Sequence, residues 1–66
     1  MISEYEMVKL AIAVDNVPIS IGTKGVVLMI YPDKPTAYEI EFFGENGRSL
    51  GCYTVQADFV DLDPMN

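Results

Sequence analysis

The stretch AYEIEFFGENGRSL, residues 37–50, constrains this chain more than any other. Tyr38, Ile40 and Phe42 alternate with Glu39 and Glu41, and the pattern stops at an Asn-Gly step before apolar residues resume. Successive side chains of a strand point to opposite faces, so this alternation predicts a half-buried strand that turns into a hairpin. The turn sets the register. ENG suits a three-residue loop, with a type I turn at Glu45 and Asn46 and Gly47 in the left-handed conformation. That loop pairs Phe42 with Leu50, Ile40 with Cys52 and Tyr38 with Thr54. It sends Glu39, Glu41, Gly51 and Tyr53 to solvent and leaves Cys52 inside as a small hydrophobe. A two-residue loop would slip the register by one, placing Leu50 and Cys52 beside Phe43 and Glu41 on the wet face.

The remaining segments also read as short strands. GVVLMIY is apolar from Val26 to Tyr31 and is stopped by Pro32 and Pro35, neither of which can donate to a ladder. Strict alternation points Val26, Leu28 and Ile30 one way and Val27, Met29 and Tyr31 the other, so both faces need cover. A coiled strand shared between two packed sheets supplies it, as does a partner surface. Residues 3–14 admit two readings. Ser3 and Glu6 have the spacing of a helix capping box, whereas Val8, Leu10, Ile12 and Val14 alternate as a strand would, and the period of two favours strand. VDNVPISIGTKG is dense in turn residues and reads as a long loop. The tail turns through Gln56–Asp58 into an edge strand FVDL, with Phe59 and Leu62 as its anchors and Pro64 as its end. The expected architecture is all-β, a single domain over 1–66 built as a small five-stranded barrel.

Composition removes most function classes. With 66 residues there is one core and little room for a deep cleft. The chain has no histidine, which removes the commonest general base and the commonest catalytic metal ligand. Its single cysteine, Cys52, cannot form an internal disulfide, and lies between Gly51 and Tyr53 rather than in a cationic setting. Glu39 and Glu41 share a strand face, but a hard-cation site wants six or more oxygens wrapped by a loop, so they read as a solvated face. The net charge is −6, and most of the acids fall in the second half. Four scattered basic residues cannot displace phosphate counterions, so nucleic-acid binding is not expected. No run is long and apolar enough to span a membrane, and the acidic N-terminal residues do not resemble a signal peptide, which suggests the cytoplasm.

In chain order, YEMVKL (5–10), IGTKGVV (21–27), Tyr31-Pro32, AYEIEF (37–42), ENGRSL (45–50), Thr54-Val55 and FVDL (59–62) resemble the small bacterial family catalogued as domain of unknown function 4926. The resemblance implies an SH3-like barrel in which GTKGVV occupies the place of the KOW-type glycine motif of transcription and translation factors. It implies no catalytic residues. Those factors carry basic patches near the motif, whereas this chain has only Lys24 there, so their nucleic-acid role does not transfer. The expected function is a non-enzymatic module without cofactor or metal that binds a protein partner, a basic one by charge, as an inhibitor or antitoxin-like protein would. The expected contacts are Tyr31, Glu39, Glu41, Phe43 and Tyr53, aromatic anchors with a polar rim. The alternative is a self-associating barrel, a homo-oligomer completed through an exposed strand.

Overall fold

A computed structural model describes residues 2–63. It contains five strands: β1 Met7–Leu10, β2 Lys24–Tyr31, β3 Ala37–Phe43, β4 Ser49–Gln56 and β5 Val60–Leu62. All pairings are antiparallel, and the sheet order is β4-β3-β2-β1-β5. The sheet coils around one face to give the small SH3-like barrel expected from the sequence. Phe42, Leu10, Ile40, Val8, Val27 and Val55 are less than 2% exposed, and no polar or charged side chain is buried among them. The core is therefore held by apolar burial alone. Removing a large ring from such a core, as in Phe42→Ala, costs about 3–5 kcal/mol. A domain of this size has roughly 3–10 kcal/mol in total, so that single change threatens the fold.

The β3–β4 hairpin has the predicted turn and a different register. Gly47 is left-handed (φ 82°). Gly47 N–H donates to the Gly44 carbonyl at 2.9 Å, and Gly44 N–H donates to the Arg48 carbonyl at 2.8 Å. The Asn46 side chain tightens this loop by accepting from Arg48 N–H at 3.0 Å. One step further on, a bulge intervenes: Phe43 pairs with Ser49, but Phe42 pairs with Gly51, which leaves Leu50 as the extra residue. The strand then runs Ile40 with Tyr53, Glu41 with Cys52, and Tyr38 with Val55. This corrects the expected pairs of Phe42 with Leu50, Ile40 with Cys52 and Tyr38 with Thr54. Because the side-chain period is two, one inserted residue turns the rest of the strand over. Gly51 and Tyr53 face the core, and Cys52 is exposed. Gly51 makes the bulge possible, since its φ of 111° is one that side chains rarely adopt. A Cβ there would lie 3.3 Å from the Tyr53 ring, which covers the position instead.

A second bulge resolves the two-faced β2. Val27 pairs with Ile40 and Met29 with Glu39, so Leu28 is the residue left over. Strict alternation is thereby broken. Val27 and Ile30 turn to the core side, opposite Ile40 and Tyr38, while Val26, Met29 and Tyr31 share the outer face. The expected grouping of Ile30 with Val26 and of Val27 with Met29 is corrected accordingly.

The ends depart from expectation for local reasons. The N-terminal strand is shorter than residues 3–14, with Val8 and Leu10 buried and Ile12 45% exposed. Ahead of it, Ser3 N–H donates to Glu6 Oε1 at 2.6 Å, which is half of a capping box closing a turn rather than a helix. The loop from 11 to 23 is gathered at its neck, where Leu10 N–H donates to Thr23 and Gly22 N–H donates to Leu10. Ile19 anchors it in the core. In the tail, Ala57–Phe59 is a 3-10 turn and Val60, not Leu62, is the buried anchor; Leu62 is 44% exposed. The expected stop at Pro64 lies outside the described residues.

Two measurements check this arrangement. A Cβ on Gly25 would meet Ile40 Cγ2 at 2.6 Å and the Glu41 carbonyl at 2.8 Å, so β2 approaches β3 as closely as only glycine allows. Gly25→Ala is expected to destabilise by about 1–3 kcal/mol, read as a fall of roughly 4–8 °C in Tm per kcal/mol. For the register, Cys52 in the native protein should react with an aromatic disulfide reagent within about tenfold of its rate in urea. Strong protection, removed only by unfolding, would instead restore the unbulged pairing.

Candidate functional site

The outer face of β2, β3 and β4 carries the side chains that the sequence singled out. Cross-strand pairing arranges it in rows. One runs Met7, Val26, Glu41, Cys52; the next runs Met29, Glu39, Thr54; at the ends lie Lys24, Phe43, Ser49 and Tyr31, Ala37, Gln56. Tyr31, Glu39, Glu41 and Phe43 therefore share one face, each half-buried among its neighbours. Tyr53 does not join them. The Leu50 bulge turns it inward, where its ring lies 6.5 Å from that of Phe42 at an interplanar angle of 44°. Its place on the outer face is taken by Cys52 and Thr54.

Met29 is the residue that sequence reasoning missed. It is 49% exposed and sits opposite Glu39, at the centre of the face. In the sequence it is one member of an apolar run, and only the bulge at Leu28 decides that it points outward. A flexible thioether beside carboxylates and an aromatic ring makes an adaptable contact surface.

The electrostatics of the face are uneven. Glu39 Oε1 accepts a hydrogen bond from the Thr54 hydroxyl at 2.7 Å, which leaves its charge uncompensated. Lys24, at the end of the face, lies 3.4 Å from Asp63. That is the one ion pair among the described residues, and its lysine side chain is 55% exposed, so it contributes at most about 1 kcal/mol. The middle of the sheet therefore presents Glu39 and Glu41 around Met29 and Cys52 without a cation between them.

Three observations on the described residues bear on what chemistry the face could support. Among the described residues, no three Cys, Asp or Glu side chains converge to hold a metal ion. Cys52 is accessible, but its cross-strand neighbour is the acid Glu41, whereas activated thiols sit beside cations or helix N-termini. A depression lined by Asn16, Val17 and Pro18 is shallow and wide open, unlike the enclosed clefts that bury small molecules. No helix among the described residues is long and apolar enough to cross a membrane.

Comparison with known proteins returned no matching curated protein and no matching solved structure. A family model does match, and it spans residues 4–61, from the turn before β1 into β5. Its extent takes in β1 to β4, both bulges and the start of β5, so the chain belongs to the family described as Domain of unknown function (DUF4926).

Proposed function

We propose that this domain is a non-enzymatic module that binds another protein through the outer face of β2, β3 and β4, as an inhibitor or antitoxin-like partner does. The observation that carries this reading is the mixed character of that face. Met29, Val26, Tyr31 and Phe43 supply apolar and aromatic contact, and Glu39 and Glu41 stand among them with no cation alongside. Interfaces combine such anchors with a charged rim. A net charge of −6 favours a basic partner, because complementary charge speeds encounter and rejects acidic competitors. The sheet positions these side chains on strands, so binding costs little ordering entropy.

Two experiments separate this from self-association. Immobilised protein is challenged with the product of an adjoining gene at low and at high salt. Retention is expected at low salt, with loss on raising salt and in Met29→Lys and Glu41→Lys, while Asp15→Lys in the long loop behaves like the wild type. Absence of any retained protein at low salt, or equal retention by all variants, counts against the proposal. Sedimentation across a concentration series tests the alternative: a homodimer held by apolar contact persists or tightens as salt is added.

A further inference from the structure

Among the described residues, no segment of the chain pairs with the outer edge of β4. β4 is the terminal strand of the sheet, paired only with β3. Ala57 N–H donates to the Thr36 carbonyl at 2.9 Å, which sets the phase of the ladder: residues 53 and 55 turn their backbone groups toward β3. The N–H and C=O groups of Cys52, Thr54 and Gln56 therefore point away from the sheet. Edges are normally protected by lysine, proline, inward charges or extreme shortness. β4 has eight residues, Ser49–Gln56, and among them neither a charge nor a proline. Its one irregularity, at Leu50 and Gly51, lies near the start of the strand and leaves Cys52–Gln56 regular.

We propose that this edge receives an extended segment of a partner protein as a sixth strand, one carrying Lys or Arg at alternate positions. This inference rests on the reading of the domain as a protein-binding module and names how the partner is held. Backbone hydrogen bonds to Cys52, Thr54 and Gln56 supply the pairing. Charge selects the occupant. Residues of an added strand that stand opposite Cys52 and Thr54 share their outward face, with Glu41 and Glu39 one strand beyond, about 9.5 Å from the new backbone at the usual strand spacing. Only the small side chains of Cys52 and Thr54 lie between, so the long stem of a lysine or arginine reaches across them to the carboxylates. A second copy of this chain fits the edge sterically but not electrically. It brings another uncharged strand backed by another pair of acids, with a further −6 of net charge.

The test is titration of isotope-labelled protein, followed by amide NMR, with two synthetic extended hexapeptides, Lys alternating with Val or Thr and the same peptide with Glu for Lys. The basic peptide is expected to bind, to shift and protect the amides of Cys52, Thr54 and Gln56 most, and to weaken by at least about tenfold between low and physiological salt. The acidic peptide is expected not to bind. Thr54→Pro removes a free edge donor, a substitution edge strands tolerate, and should abolish binding. The double variant Glu39→Lys/Glu41→Lys keeps the edge and should exchange preference to the acidic peptide. Binding untouched by Thr54→Pro, with shifts confined to Met29 and Phe43, overturns the edge mode while leaving the outer-face reading standing. Edge amides protected without peptide, in step with a concentration-dependent dimer, make a second copy the occupant and overturn it too. No binding of either peptide also overturns it, independently of whether the whole partner is captured through Met29 and Glu41.

Discussion

One row of side chains, Tyr38, Ile40 and Phe42 on β3, is the element to which the rest of the sheet is phased. It is central in the β2–β3–β4 meander, and each of its residues is buried. Both neighbouring strands meet it only by inserting a residue. β2 leaves out Leu28 so that Val27 and then Ile30 stay on the row, and β4 leaves out Leu50 so that Gly51, Tyr53 and Val55 do. Without these bulges, β2 would carry its later apolar residues out of phase, and β4 would place Cys52 and Thr54 against the core. A sheet with one buried face specifies register strongly, because a slip of one residue exchanges inside and outside along a whole strand. Bulges also increase local twist, which helps a five-stranded sheet coil tightly enough to cover its own core.

The same two insertions decide what the molecule shows to solvent. The Leu28 bulge puts Met29 on the outer face between Glu39 and Tyr31, and the Leu50 bulge exchanges Tyr53 for Cys52 and Thr54 there. The interior and the candidate binding surface are thus set by one geometric requirement. The small side chains on the outer face of β4 have a consequence for the proposed function: they leave the acids of β3 within reach of whatever lies beside the sheet. Tyr53, in turn, shields Gly51 and packs its ring near that of Phe42.

Glycine marks where the chain makes these demands, but for different reasons at different positions. At Gly25 the reason is room, since a side chain would enter Ile40 and the β3 backbone. At Gly51 it is the backbone angle of the bulge. Gly25 in GTKGVV is therefore accounted for by packing. Gly25 lets two strands of a small barrel come close together. The basic residues beside it are the cross-strand pair Lys9 and Lys24, of which Lys24 lies 3.4 Å from Asp63.

The fold class, the three strands from Lys24 to Gln56, the turn at Glu45–Gly47 and the burial of Tyr38, Ile40 and Phe42 are legible in the residues alone. These follow from local rules: a period of two, turn residues with defined backbone preferences, and prolines that end ladders. The alternation also puts Glu39, Glu41 and Phe43 on one face, because all three lie on β3, which carries no inserted residue, whereas Tyr31 joins them only through the bulge at Leu28. Only the tertiary structure decided that Tyr53 turns inward, that Cys52 is accessible, that Met29 is central and that the edge of β4 is unpaired. A bulge is chosen by the fit of one strand against its neighbours across the core; Leu28 differs in no local property from the apolar residues beside it, and Leu50 is marked in the sequence only by the glycine that follows it. That fit is a long-range relation, so the side-chain order beyond each bulge, and with it the composition of the outer face, is legible only once the strands are packed.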